Sequence, residues 1–462
     1  MSSGRSRHTA WGVPLAAALV ALAAGLSGSP TVAVAVAGTV LLGLSTLLPV
    51  TALLALFLLS TLSTRYGIQI AGLTLRGEYV AGVLLALALL RQRSAGPVDA
   101  RRRAVLLTLL IYLVYATSVT ILFAPSPTRS LTVLLWFASD CLILGALLRV
   151  PGLTRTLVRQ GTVIAAAHAV FGIVAWVTAS VGGPVFGVQI DPSYGGLAAY
   201  GLSYEANIFA GVTSVWTVVA MSSPREWTLR ATRPALLVLA PVVALISHTR
   251  TALIALVAGL VVLLVGRTSG QARKKAMSAL AGLVLVIPLG LATGLPGTAE
   301  IAGKFARTLD PGSPNASLRL ETSAVALEDL RFSTSVLGLG TNSYGQRHLR
   351  RADDGSLAPG YLGNLPLQIL YDTGLVGAGI LVSGLFGATR RRAHAARGTA
   401  ILVTLLVVSL STSFFWFAAT WVFVLIGCDD LILQNSNATS NAPADRLRSG
   451  RSTDAQGLRA RV

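Results

Sequence analysis

The sequence predicts an all-α fold, a polytopic transmembrane helical bundle of about 12 to 14 spans with one long outward-facing loop. Three observations predict it. The 462 residues are 53% hydrophobic and 12% charged, and their mean hydropathy of +0.70 belongs to a chain dissolved in lipid. The apolar residues come in runs near the ~20 helical residues that cross a hydrocarbon core about 30 Å thick. The formal charge of +19 is split into short basic clusters between those runs, which is the positive-inside pattern and not a nucleic-acid-binding face.

Those clusters order the elements. Arg5 and Arg7 precede the first apolar run, and Arg91, Arg93 and Arg101 to Arg103 follow the fourth. Arg149, Arg155 and Arg159 come next, then Arg225, Arg230 and Arg233, then Arg267 and Arg273 to Lys275, then Arg390 to Arg392 and Arg397. All are expected in the cytoplasm, with the charge-poor stretches Pro125 to Arg129 and Gly182 to Tyr200 outside. Three runs are too long for one span and carry an internal break: Thr31 to Leu62 at Pro49, Pro234 to Gly266 at Ser247 to Arg250, and Gly398 to Gly427 at Ser411 to Ser413. Each reads as a hairpin of two short helices, which puts every basic cluster and both termini on the cytoplasmic side of an inner (plasma) membrane. The start, MSSGRSRH before Ala16 to Leu26, imitates a signal peptide, but GLSGSP is a poor cleavage signature and the segment reads as a retained helix.

The chain divides into N-terminal membrane helices (1–296), a loop (297–363), C-terminal membrane helices (364–427) and a polar tail (428–462) that reads as disordered. Cys141 and Cys428 are small apolar residues rather than a disulfide frame. No Walker-type phosphate loop and no His, Cys or carboxylate cluster with metal-ligand spacing occurs, so neither cofactor nor metal is expected.

Polar information concentrates in the loop and at its borders. A helix is predicted over Ser317 to Leu330 from Leu320, Ala324 and Leu327, with Ser313 and Asn315 as possible caps. Then come the turn VLGLGTNSYG (Val336 to Gly345) and the helix entry GYLGNLPLQILYDTGLVG (Gly360 to Gly377). Upstream stand YEANIFAG (Tyr204 to Gly211) and the junction Ser247-His248-Thr249-Arg250-Thr251.

The order of these features resembles the O-antigen ligase and O-antigen polymerase superfamily: an Arg-bearing helix junction, a long loop opening with an Arg-bearing helix, a Gly-x-Gly turn, and an entry whose pattern is met by Asn364, Leu367, Gly374 and Gly377. The resemblance implies transfer of a glycan from a polyprenyl diphosphate carrier to an envelope acceptor, a sugar, lipid or surface polymer, at the outer leaflet. The enzyme would be an inverting, metal-independent glycosyltransferase whose partners are membrane lipids, the lipid-linked donor and the acceptor, with no nucleic acid. A transporter or flippase of envelope lipid or glycan is an alternative that should show an internal repeat. A catalytically inactive scaffold of an envelope assembly complex is another.

Such chemistry needs a cation for the departing diphosphate and a group that takes the acceptor's proton. Arginine suits the first because its planar fork holds phosphate oxygens bidentately. Arg250 at the hairpin apex is the leading candidate, and the resemblance assigns Arg319 to the loop-helix arginine. Asn364 is read both as a hydroxyl- or phosphate-orienting group and as a helix N-cap. For the second task this chain departs from the family, since Gly363-Asn364 stands where relatives carry His-Asn. His348 in the loop and Glu205 in YEANIF are the replacement candidates, and the ordinary alternatives are an incidental loop histidine and a structural ion pair.

Overall fold

The computed structural model describes residues 48–65, 67–70, 73–91, 100–150, 152–191, 196–266, 314–351, 357–389 and 396–428, with single positions at 43, 277 and 303. The predicted first helix, the cluster at 267–275 and the polar tail lie outside these residues. Among the described residues, eight apolar helices precede the loop: α1 (Val50–Leu62), α2 (Gly77–Leu90), α3 (Ala100–Phe123), α4 (Pro127–Leu148), α5 (Leu153–Ser180), α6 (Ala206–Ser222), α7 (Thr232–Ile246) and α8 (Arg250–Val265). The loop contributes α9 (Pro314–Asp329), α10 (Phe332–Leu337) and α11 (Ser343–Arg347), and the chain returns through α12 (Leu365–Thr389), α13 (Ala396–Ser409) and α14 (Ala418–Cys428).

Among the described residues, four helical stretches are long and apolar enough to cross a membrane, Arg103–Phe123, Pro127–Leu148, Leu153–Ser180 and Leu365–Gly384, and seven apolar helices are shorter. The short ones explain the broken runs. Pro49 caps α1, where a fixed φ and a missing N–H suit a helix start. The run from Pro234 splits into α7 and α8 of 15 and 16 residues, each about 22–24 Å long at 1.5 Å per residue. The last run splits into α13 and α14 of 14 and 11 residues. No helix of either pair reaches the ~30 Å of a hydrocarbon core by itself.

The all-helical reading is supplemented by three two-stranded antiparallel hairpins. They are β1 (Gly67–Ile70) with β2 (Leu73–Arg76), β3 (Val188–Ile190) with β4 (Leu197–Ala199), and β5 (Leu349–Arg351) with β6 (Leu357–Pro359). All connect helices rather than build a core.

One large core joins α1 to α8 with α12 to α14, and a small second core of Ala326, Leu339, Tyr344, Leu362 and Tyr371 lies under the loop. The described part of the loop is therefore folded, beyond the one helix read from its sequence. That helix begins at Pro314 and not at Ser317, because proline is accommodated in a first turn; Asn315 falls inside it and is not a cap.

The Gly-x-Gly turn and the helix entry form one packing unit. Gly374 interrupts α12 with φ +63°, ψ −170°, and the interruption frees the Tyr371 and Asp372 carbonyls to accept from Leu339 N and Gly340 N, both at 2.9 Å. Gly338 and Gly340 have φ of +90° and +93°, and a Cβ on Gly338 would press on the backbone of Asp372 and Thr373. Further ties fix the loop to α3 and α4: Tyr115 Oη donates to Leu337 O at 3.0 Å, Thr341 N to Thr120 Oγ1 at 3.0 Å, and Gln346 Nε2 to Ser130 Oγ at 2.8 Å.

Candidate functional site

A cavity of about 280 Å³ lies where α6, α9, the approach to α12 and the apex after α13 meet, lined by polar groups from each. Glu205 and Asn207 come from the start of α6, Arg319, Thr322 and Ser323 from α9, Tyr361 and Asn364 from the α12 approach, and Ser411 from the apex.

Each polar group is held for a local reason. Glu205 is the extended residue before α6, and the three residues ahead of it are pinned: Leu202 N donates to His168 Nε2 at 2.9 Å, Ser203 Oγ to Leu62 O at 3.2 Å, and Tyr204 N to Thr64 Oγ1 at 2.9 Å. Asn364 accepts the Leu367 N–H through Oδ1 at 3.0 Å, so it caps α12 and its amide N–H2 remains a donor. Asn207 likewise engages Oδ1 with the Thr249 hydroxyl at 3.2 Å. With both oxygens occupied, the two carboxamides have donors left for the cavity, the polarity that an anion needs. Tyr361 Oη accepts the Ser413 N–H at 2.9 Å, and Ser413 Oγ donates to Gln368 Oε1, which clamps the apex to the start of α12.

The cavity carries an acid and a base that act on each other. Burial pushes the half-buried Glu205 carboxyl above its ordinary value near 4.5, and the Arg319 cation opposes that rise. Burial lowers the Arg319 pKa, Tyr361 and Glu205 raise it, and Arg250 lowers it further. Arg319 is exposed yet ringed by protein, as a residue on the wall of an open cavity is. Burial also raises the Tyr361 phenol, helped by Glu205, which keeps it a neutral hydrogen-bonding group.

The structure thus brings together three of the sequence-derived candidates, Glu205, Arg319 and Asn364, and sets Arg250 within electrostatic reach of Arg319 at the first turn of α8. His348 is elsewhere. Its Nε2 meets Asp329 Oδ2 at 2.6 Å, the same oxygen that accepts from Tyr371 Oη at 2.5 Å, and its ring packs 4.6 Å from that of Tyr344. This arrangement ties the end of α9, α11 and α12 together and is a structural explanation for the histidine. Gly363 does line the cavity. A Cβ there would meet Tyr361 Cε1 at 3.5 Å and Ser411 O at 3.8 Å, ordinary contacts, so the position has room for a Cβ.

Sequence reasoning did not single out Asn207, Thr322, Ser323, Tyr361 or Ser411. Asn207 and Tyr361 lay inside quoted motifs, but nothing in their spacing distinguished wall residues from scaffold. Among the described residues no group of three or more His, Cys, Asp or Glu could hold a metal ion.

No curated relative and no solved structure matches this chain. Residues 235–382 match the family model described as O-antigen ligase. That stretch runs from α7 into α12 and contains Arg250, Arg319, His348 and Asn364, whereas Glu205 and Asn207 precede it. The segment that supplies the cavity's arginine, its capping asparagine and the folded part of the loop is thus the part of the chain that is similar to the O-antigen ligase family.

Proposed function

We propose that the cavity is where a glycan passes from a polyprenyl diphosphate to an envelope acceptor, at the outer leaflet of the cytoplasmic membrane, in a bundle of about 12 to 14 spans with both termini inside. The observation that carries the proposal is the meeting in one cavity of a half-buried carboxylate, Glu205, the Arg319 cation and the amides of Asn207 and Asn364, with Arg250 outside the lining but within electrostatic reach of Arg319. A family resemblance alone would give glycan transfer in general; this arrangement gives it parts.

In the proposed step the acceptor hydroxyl gives its proton to the Glu205 carboxylate while its oxygen bonds to the anomeric carbon. The bond from that carbon to the diphosphate oxygen breaks, and the electron pair leaves with the diphosphate. One displacement from the opposite face inverts the anomeric centre. Arg250 and Arg319 meet the charge that develops on the leaving group, and arginine does so bidentately without losing its proton. Asn207 and Asn364 orient oxygens of the donor. Glu205, rather than His348, supplies the base, because His348 is bound to Asp329 and does not line the cavity. Arg250→Ala should nearly abolish transfer in membranes that still contain the protein, with Arg250→Lys only partly active; full activity of Arg250→Ala would end this assignment.

A further inference from the structure

The turn between α7 and α8 has an unusual occupant. Thr249 N donates to Ala244 O and His248 N to Leu245 O, both at 2.9 Å, the paired 6→1 and 5→2 bonds that close a helix with its next residue left-handed. That residue is ordinarily glycine, because a Cβ is strained in the left-handed region. Here it is His248, at φ +53°.

The imidazole is committed elsewhere. Its Nδ1 lies 3.2 Å from Asp191 Oδ2, and the ring is 2% exposed. Asp191 directly follows β3 and is closed onto Gly196 by a 2.8 Å backbone bond. Gly196 lets the ring approach, since a Cβ there would stand 3.3 Å from its Cε1. The next residue behaves alike. Thr249 is the N-cap of α8 but makes no side-chain cap bond; its hydroxyl is shared between Ser247 O at 3.0 Å and Asn207 Oδ1 at 3.2 Å. Arg250 follows as the first residue of α8. Two adjacent side chains therefore forgo the cheapest local solution, a glycine stop and a threonine cap, and bind the β3–β4 hairpin and the cavity wall instead.

We propose that the Asp191–His248 pair is a positioning element of the transfer site, fixing the turn that aims Arg250 and, through Thr249, Asn207 at the donor diphosphate. The inference rests on the reading of the cavity given above. The pair touches no substrate; it trades backbone strain at the turn for a defined direction of the arginine that follows.

The substitution His248→Gly separates this role from a merely structural one, because glycine is the better residue for a left-handed turn. The purified full-length His248→Gly protein should unfold at or above the parental temperature. In membranes of cells that lack the parental copy, its transfer of labelled sugar from the native lipid-linked donor should fall by on the order of 100-fold, as expected of a misplaced reacting group. Binding of farnesyl diphosphate, used as a soluble prenyl diphosphate, should weaken far less than the rate. Asp191→Asn should show the same loss, and the double variant should be no worse than either single one, as for residues that act through one contact. His248→Asn, which tolerates the left-handed backbone, should restore part of the rate. Parental transfer by His248→Gly, or additive losses in the double variant, would overturn the inference. If Arg250→Ala is inactive while His248→Gly is not, the inference alone fails; if Arg250→Ala transfers normally, the reading of the cavity fails and the inference with it.

Discussion

Replacing Glu205 by glutamine tests the proposed chemistry where it is most specific. Glu205→Gln keeps the shape and hydrogen-bonding capacity of the side chain and removes its ability to hold a proton. General-base assistance contributes about 10²–10⁴-fold, so the rate should fall by that factor, equivalent to about 2.7–5.4 kcal/mol in activation free energy. The pH profile carries a second signature. Burial raises the carboxyl above its ordinary value near 4.5, and a base must be ionised, so parental transfer should rise tenfold per pH unit on the acid side and level off above the raised value. Glu205→Gln should lose that limb. Stability should move the other way. A raised folded-state pKa means that the stability Glu205 contributes is present below its unfolded value and lost as pH rises through the folded one. At neutral pH the ionised group therefore costs stability, and Glu205→Gln should unfold no earlier than the parent. The assay is transfer of labelled glycan in membranes from pH 4.5 to 8.5, with protein quantified in each sample, alongside thermal unfolding in detergent. A Glu205→Gln rate within threefold of the parent, with the acid limb intact, would refute the assignment of the base.

Other consequences are separately testable. Gly374→Ala should destabilise by about 3 kcal/mol, from a left-handed side chain and the strain on two backbone hydrogen bonds to the turn, read as a lowered unfolding temperature and earlier proteolysis of the loop. Hydrogen bonds from Tyr371 and His348 outweigh burial and hold the Asp329 carboxyl below its ordinary 3.8; its stabilising contribution is present above that value and lost as pH falls through the folded one. Asp329→Asn and His348→Ala should therefore both loosen the loop at neutral pH, whereas His348→Ala should spare the acid limb of the rate profile. Gly363→Ala should fold normally, because a Cβ there meets only ordinary contacts, and loss of the fold would contradict the described geometry. A cysteine at Ser333 should react with an impermeant thiol reagent in intact cells and one at Ser269 should not, a contrast kept legible by the burial of Cys141 and Cys428; the reverse pattern would invert the topology.

What could be read from the sequence follows the range of the interactions concerned. The hairpin breaks at Ser247 to Arg250 and at Ser411 to Ser413 were legible, because polar residues interrupting an apolar run mark a turn. Arg319, Glu205 and Asn364 were legible as chemistry, since charges and amides are scarce in such a chain. The base was not narrowed below two residues, because Asp329, which occupies His348, lies 19 positions from it and 42 from its other partner Tyr371 and leaves no local pattern. Asp191 was invisible for the same reason, 57 residues from His248. The folding of the loop was missed because it rests on a five-residue core, Ala326, Leu339, Tyr344, Leu362 and Tyr371, whose members are scattered along the sequence.

The break at Gly374 has a consequence for how substrate reaches the cavity. The loop is hung from carbonyls that belong to the backbone of α12 itself, and is stitched to α3 and α4 at Leu337, Thr341 and Gln346. A flap that opened over the cavity would have to unstitch a helix with it. The described part of the loop is masonry rather than a door; if the proposed function holds, a long lipid-linked donor would have to thread sideways between helices, and turnover should depend on the fluidity of the surrounding lipid more than on any swing of that part of the loop.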